Sequence, residues 1–523
     1  MNILLLELRF WEIIYHLVNK EELRIVHIGP NGEEVWLEDD RNKPYKLIRL
    51  SCRDLDWSNE LRKDMKQTYQ RGKQLRKRIG LRNANIVNVV LSSYEPVDDF
   101  NDLLDKPAPI SNRGKQEEHT ILLTLENLME KLIPLAAEWK LADIPPLTPI
   151  EEIEDEETLI RSLRMAVSEV SERRSEKEKG LFFFGKPYLT YFLLGGILAV
   201  FMMVEAIGSS TDTETLISFG AKFNPLIQDG EWWRFFSSMF LHIGIFHLLM
   251  NSLALFFLGG AVERIYGTTR FFFVYFIAGL TGSIASFVFN EQVSAGASGA
   301  IFGCFGALLY FGMMHKRLFF RTMGMNVIVI LLINLLFGFT VPMIDNGAHI
   351  GGLIGGFAAS AVVGLPKQSK GGRQLIALLV TITALTGLLY YGYTKELTSQ
   401  SYAPYLQIGI EYLQEDEPAQ ASAYFERIIN SELPNHAAIL TDTYFHLSYT
   451  QANMGDLEEA EKNLLRTIER DPMFHEAHFN LALIYYEQEK YEEAHAQLAQ
   501  ALELQPNEEA YNQLEAELSQ FIN

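Results

Sequence analysis

The chain has 523 residues, with 66 acidic against 45 basic side chains and a formal net charge of −21. It has only two cysteines, Cys52 and Cys304, so there is neither a disulfide framework nor a zinc-type cysteine spacing. Residues 395–523 hold 24 Asp and Glu against 6 Lys and Arg, a net of −18; such a surface disfavours nucleic acid and anionic lipid headgroups.

The first residues, MNILLLELRFWEIIYHL, are apolar, but Glu7, Arg9 and Glu12 interrupt the run and no small-residue cleavage site follows. This predicts an amphipathic helix and not a signal peptide. LRIVHIGPNGEEVWLED predicts a hairpin turning at residues 30–32, and KPYKLIRLS a further strand. Residues 56–81 predict a charged helix ending in KQLRKRIG, NIVNVVLSS a buried strand, and 118–138 a helix. No aromatic residue interleaves the basic run, which reads as a solvated helix face and not as a nucleic-acid site. EEIEDEE at 151–157 reads as a solvated linker. Residues 1–178 are therefore expected to form a small cytosolic α/β domain with a regulatory or partner-binding role.

From about 188 to 393 the chain becomes a series of long apolar runs. Seven spans are expected, at 188–207, 243–261, 271–289, 296–314, 325–341, 344–364 and 374–393. Each is long enough, at about 1.5 Å per residue, to cross a hydrocarbon core of about 30 Å, with the shortest at the limit. Spans five and six are separated only by VPMID and predict a tight helical hairpin. Thirteen basic residues flank the spans on one side, Arg174, Arg264 and Arg317 among them; the other side has Lys222, Arg234 and Lys395. That asymmetry predicts a cytoplasmic N-terminus and, with seven spans, an extracytoplasmic C-terminus.

Polar side chains inside spans are costly and tend to be functional. His247 and Asn251 share one face of span two, Ser298 lies in GASG at the start of span four, and His349 in AHIGG at the start of span six. Gly299, Gly303 and Gly306 on span four and Gly351, Gly352, Gly355 and Gly356 on span six allow close backbone approach. Packing through those faces would bring Ser298 and His349 within hydrogen-bond reach, the minimum for a base-activated serine. His247, Asn251 and backbone N–H groups at the start of span four would then face a developing oxyanion. Other readings exist. A serine in a membrane helix commonly bonds its own backbone, and Ala300 breaks the G-x-S-x-G elbow of soluble hydrolases. A solute transporter calls for charges at mid-membrane and inverted repeats, and the sequence offers no clear example of either.

Five short elements agree together: WWR at 232–234, HLLMN at 247–251, ERIYG at 263–267, GASG at 296–299 and AHIGG at 348–352. With them, residues 185–370 resemble the rhomboid intramembrane serine proteases. The resemblance implies a polytopic helical membrane bundle of six plus one helices. It makes Ser298 the nucleophile and His349 the general base. It gives Asn251 and His247, with the Ser298 N–H, the oxyanion role. It implies a dyad without a carboxylate, so that Asp345 is a helix-start residue, and it requires no metal and no cofactor. Phe302 stands where some members carry a tyrosine that supports the histidine ring. Arg234, Glu263, Gly296 and Gly352 are given structural support roles, and the loop at 208–238 lies partly in the outer leaflet.

Behind the spans the chain repeats every 34 residues: Phe445 with Phe479, Leu447 with Leu481, Ala460 with Ala494. This is the tetratricopeptide (TPR) period, and a weaker copy precedes it. The expected fold is thus mainly α, with an α/β domain at 1–178, a membrane protease domain at 179–394 and about three extracytoplasmic TPR repeats at 395–523. The order resembles that of the long rhomboids of Gram-positive bacteria. The expected function is hydrolysis of peptide bonds in or near transmembrane segments at the plasma membrane. The partners are transmembrane substrates, the bilayer and proteins bound by the TPR and N-terminal domains, with no nucleic acid. The alternative is a non-catalytic membrane adaptor that presents clients through its soluble domains.

Overall fold

The computed structural model describes residues 2–41, 45–79, 81, 84–104, 108–109, 117–341, 343–367, 371–431, 433–434 and 437–521. Parts of the predicted elements, Lys43, Pro44, Gly80 and Pro342, lie outside the described residues. The chain divides into two compact units: residues 1–182 with 317–323, and residues 183–316 with 324–523.

The first unit is α/β. Helix α1 (Asn2–Asn19) is followed by β1 (Arg24–Ile28), β2 (Glu34–Asp39), β3 (Lys46–Cys52), α2 (Ser58–Arg78), β4 (Asn85–Ser92), β5 (Ala108–Pro109), β6 (Glu117–Thr124), α3 (Leu128–Glu138) and α4 (Glu156–Phe182). The sheet order is β1-β2-β3-β4-β6-β5. β1, β2 and β3 form an antiparallel meander, and β3, β4 and β6 run parallel. The first turn closes where Gly32 takes φ +75°, with the Gly32 N–H donating to the Gly29 carbonyl at 3.0 Å. Phe10, Ile14 and Leu17 of α1 pack on Leu37, Ile48 and Val89 of the sheet.

One expectation fails here. Residues 118–138 do not form a single helix: 117–124 is strand β6, Ile121 pairing with Val89, and α3 begins only at Leu128. A short apolar run fits either period. β-Branched Thr120, Ile121 and Thr124 and the open edge of β4 favour the strand. The acidic stretch at 151–157 leads directly into α4, which buries Ile160 and Val167 in the same core as α1.

The second unit is helical. Its apolar helices are α5 (Tyr188–Ile207), α6 (Gly244–Tyr266), α7 (Thr268–Phe289), α8 (Ser298–Met314), α9 (Gly324–Thr340), α10 (Asn346–Val363) and α11 (Gly372–Thr394). Five of them are long and apolar enough to cross a membrane; α8 and α9, at 17 residues each, are shorter. At about 1.5 Å per residue these two reach about 25 Å. Helix α6 contains a π-turn at Leu255–Gly259, just after Asn251.

Helix α10 is the central packing element, and glycine is the reason. A methyl group on Gly352 would overlap the Gly299 backbone of α8, and one on Gly356 would overlap the Gly303 carbonyl. The neighbouring glycines face the other way: a methyl on Gly351 would stand 2.9 Å from the Thr281 carbonyl of α7, and one on Gly355 2.6 Å from the Thr281 side chain. α10 therefore meets two helices at backbone distance. In a bilayer, where apolar side chains gain nothing by avoiding lipid, such contact is a main source of helix association.

Glu263 is fully buried, and its carboxylate accepts from the N–H groups of Leu189 and Thr190 and the hydroxyls of Thr190 and Thr268. It caps the orphan N–H groups at the start of α5 from another helix. Glu263→Gln turns an amide toward these donors. It is expected to cost about 3 kcal/mol, read as a lower unfolding temperature in detergent micelles.

Behind α11, helices α12 (Ser399–Gln414) with α13 (Pro418–Ile429), α14 (Ile439–Asn453) with α15 (Leu457–Arg470), and α16 (His475–Glu487) with α17 (Tyr491–Leu504) form three hairpins, followed by α18 (Glu509–Leu518). The 34-residue partners Leu447 and Leu481, and Ala460 and Ala494, are all buried at the hairpin contacts.

Candidate active site

Ser298 is the first residue of α8. The chain reaches it through Gly296, whose φ of +143° suits glycine and whose added methyl would stand 2.9 Å from the His247 ring. The path is pinned by backbone bonds: the Gly296 N–H donates to the Ser238 carbonyl at 2.8 Å, and Ser294 and Lys222 exchange N–H···O bonds of 3.0 and 2.8 Å. Being at a helix start, Ser298 and its neighbours have N–H groups with no intrahelical acceptor.

His349 lies in the first turn of α10, and its ring stacks on Phe302 of α8 at 4.1 Å with 10° between the planes. Phe302 is one turn after Ser298, so a single helix carries the serine and the platform for the histidine. Both Ser298 and His349 are half-buried. Among the described residues no hydrogen bond links the Ser298 hydroxyl to His349, and His349 Nδ1 is buried with no partner. The glycine seam thus brings the two helices together, while the serine–histidine bond itself is not made. Such bonds are often long in unliganded enzymes.

Asp345 is the N-cap of α10. Its carboxylate accepts from the Ala348 N–H at 2.9 Å and from the Ser286 hydroxyl, and not from His349. Asn251 is buried, and its amide donates to the His247 carbonyl at 3.0 Å. His247 Nδ1 accepts weakly from the Ile243 N–H at 3.4 Å. Arg234 is 3% exposed; its guanidinium donates to Glu231 and to the carbonyls of Ile217 (2.6 Å) and Ala221 (3.0 Å), tying the loop between α5 and α6 to itself. Gly352 forms the seam with Gly299, whereas Glu263 serves the start of α5.

Sequence motifs point to neither His242 nor Ser283, and mark Lys222 only as a flanking charge. His242 lies against the His247 ring, 5.3 Å between centroids, and its Nε2 accepts from the Ala297 N–H at 3.5 Å. Lys222 is 1% exposed and donates to the carbonyls of Asn290 (2.5 Å) and Gln292 (2.9 Å), stapling the loop that leads to Ser298. Burial lowers its ammonium to about 8, opposed by Asp345 and Glu291. Ser283, like Ser238 and Ser286, lines a cavity of about 20 Å³ beside Ser298, room for about one water. A lysine in an otherwise apolar stretch was the one signal that could have marked Lys222. Among the described residues no group of three or more His, Cys, Asp or Glu is placed to hold a metal.

Phe302→Ala removes the platform under His349. Loss of about 1 kcal/mol of ring contact lets the His349 ring wander, and kcat of any cleavage is expected to fall about tenfold with KM little changed. Phe302→Tyr keeps the ring and is expected to keep the rate; cleavage kinetics of the two variants decide.

Residues 229–366 match the family described as Rhomboid domain, and residues 447–509 that described as Tetratricopeptide repeat. The chain belongs to the rhomboid protease family and is a multi-pass membrane protein. It is 37% identical over 489 residues to Rhomboid protease GluP of Bacillus subtilis (strain 168), a match that covers 92% of each chain. Putative rhomboid protease YdcA of the same organism is 34% identical over 187 residues, 35% of this chain and 92% of that one. RHOMBOID-like protein 5 of Arabidopsis thaliana is 38% identical over 159 residues, 29% of this chain and 51% of that one.

Proposed function

We propose that this chain is an active serine endopeptidase that cuts peptide bonds in or near the transmembrane segments of other proteins, with Ser298 as nucleophile and His349 as base. The observation that carries the reading is the α8–α10 seam. Ser298, the Phe302 ring and the His349 ring stacked on it sit together where two helices meet backbone to backbone.

In this reading His349 takes the hydroxyl proton as Ser298 Oγ attacks the carbonyl carbon. The carbonyl oxygen becomes an oxyanion and is met by N–H groups at the start of α8, with Asn251 and His247 beside it. His349 returns the proton to the leaving amine, and an acyl-enzyme remains. Water, with His349 again as base, hydrolyses the ester and frees Ser298. Among the described residues His349 Nδ1 has no hydrogen-bond partner. A substrate helix must unwind locally, because its own hydrogen bonds shield its peptide groups.

The basic residues flanking the spans support a cytoplasmic N-terminus, which places the TPR repeats and the Ser298 end of α8 on the extracytoplasmic side. The regions 1–178, 179–394 and 395–523 then act as a cytosolic domain, the protease and a partner-binding solenoid. The unmade Ser298–His349 bond favours the second reading, a non-catalytic adaptor. Labelling by a fluorophosphonate separates the two: the protease reading expects one adduct, at Ser298, and absence of labelling together with absence of cleavage of a single-span substrate favours the adaptor.

A further inference from the structure

The loop between α5 and α6 is covered by the first TPR hairpin. Ile217 and Phe223 of the loop share an apolar cluster with Tyr402, Tyr405 and Ile408 of α12 and Ile428 of α13. Glu214 accepts from the phenols of Tyr412 at 2.6 Å and Tyr424 at 2.5 Å. A second tie is Glu291, in the loop that leads to Ser298. It accepts from Lys395 Nζ and the Ser401 hydroxyl, each at 2.9 Å, and from the Thr398 hydroxyl.

Around these ties the two surfaces leave a cleft of about 1220 Å³. That is above the usual range of about 300–1,000 Å³ for small-ligand pockets. Five carboxylates and three cations line it. The cations are already engaged. Arg234 is held by Glu231 and two carbonyls, Lys395 is paired with Glu291, and Arg427 lies over the rings of Tyr405 and Tyr424. Of the carboxylates only Glu231 has an ion-pair partner among the described residues; Asp229 and Glu396 stand with neither a cation nor a hydrogen-bond donor. An anionic headgroup would be repelled here. A cation would be attracted.

We propose that this cleft receives a lysine- or arginine-bearing extended segment of the substrate, just outside its membrane span. The proposal rests on the protease reading. The cleft lies on the loop that Arg234 organises, and that loop is bonded through Lys222 to the residues preceding Ser298. Holding the substrate there shortens its search for the site and lowers KM without entering the chemistry.

The test measures fluorescence anisotropy of a short lysine-bearing peptide, and of its glutamine counterpart, on the full chain carrying Ser298→Ala in phosphatidylcholine nanodiscs. The lysine peptide is expected to bind about tenfold tighter, from two screened charge pairs. Asp229→Asn combined with Glu396→Gln is expected to remove that difference, as is raised salt. Equal binding of the two peptides, or an unchanged preference in the double variant, overturns the proposal. Both substitutions lie outside the proposed catalytic residues, and binding is read without turnover, so failure to cleave bears on Ser298 alone. With active protein, single-span substrates differing only in this flank are expected to differ in KM and not in kcat. A difference confined to kcat also overturns it.

Discussion

Ser298→Ala and His349→Ala are each expected to abolish cleavage of a single-span substrate by the reconstituted protein. The expected loss is at least 10³-fold or so, because a nucleophile and its base act as one unit and removing either removes the covalent route. Combining them is expected to add little. The reason is structural as well as chemical. Of the other serines that line the cavity beside Ser298, Ser286 is engaged with Asp345, and Ser238 and Ser283 face each other at 3.4 Å. Asp345→Asn gives the contrast. The Asp345 carboxylate caps α10 and, among the described residues, makes no hydrogen bond to His349; Asn caps nearly as well as Asp, so the change is expected to cost less than about 1 kcal/mol of stability and far less activity than either dyad variant. Persistent cleavage by Ser298→Ala would sink the nucleophile assignment. A collapse of kcat in a folded Asp345→Asn protein would show that the dyad has a third member.

The second large effect is expected at Gly352. Its place on α10 faces the Gly299 backbone of α8, so any side chain has to push the helices apart. Overpacking of this kind costs about 1–3 kcal/mol, and here the displacement falls on the two helices that carry Ser298 and His349. A shift of about 1 Å in such a pair costs about 10²-fold in rate. Gly352→Val is therefore expected to lower kcat by about two orders of magnitude, with a smaller drop in thermal stability. Gly387→Val on α11 is the matched control: nothing lies within 4 Å of its added methyl, and it is expected to behave as wild type. Unfolding temperature and cleavage rate measured on the same preparations decide. Equal effects at Gly352 and Gly387 would show that the seam does not position the site.

The contrast between those two glycines shows where sequence reading stops. Both lie in apolar helices, and spacing alone separates them poorly; only the packing of α10 between α7 and α8 tells them apart. The same holds for Gly351 and Gly355. They were read as part of one face toward span four, and they meet Thr281 and Ala285 of α7 instead. On a helix, adjacent residues point about 100° apart, so one run of glycines can serve two neighbours.

By itself the sequence determined the mainly helical class, the apolar middle of the chain, the 34-residue repeat and the family. Each of these is carried by local period or by a short motif. Tertiary structure decided the rest. It made 117–124 a strand, because a short segment with only Ile121, Leu122 and Leu123 apolar has no intrinsic preference strong enough to outweigh the open edge of β4. It buried Lys222 against the carbonyls of Asn290 and Gln292, some seventy residues away in sequence, and set the first TPR hairpin on the loop between α5 and α6. It also stacked His349 on Phe302 while, among the described residues, making no hydrogen bond between Ser298 and His349. These are contacts between distant parts of the chain, chosen by which unsatisfied donors and open surfaces meet once the helices have packed, and no local pattern records that choice.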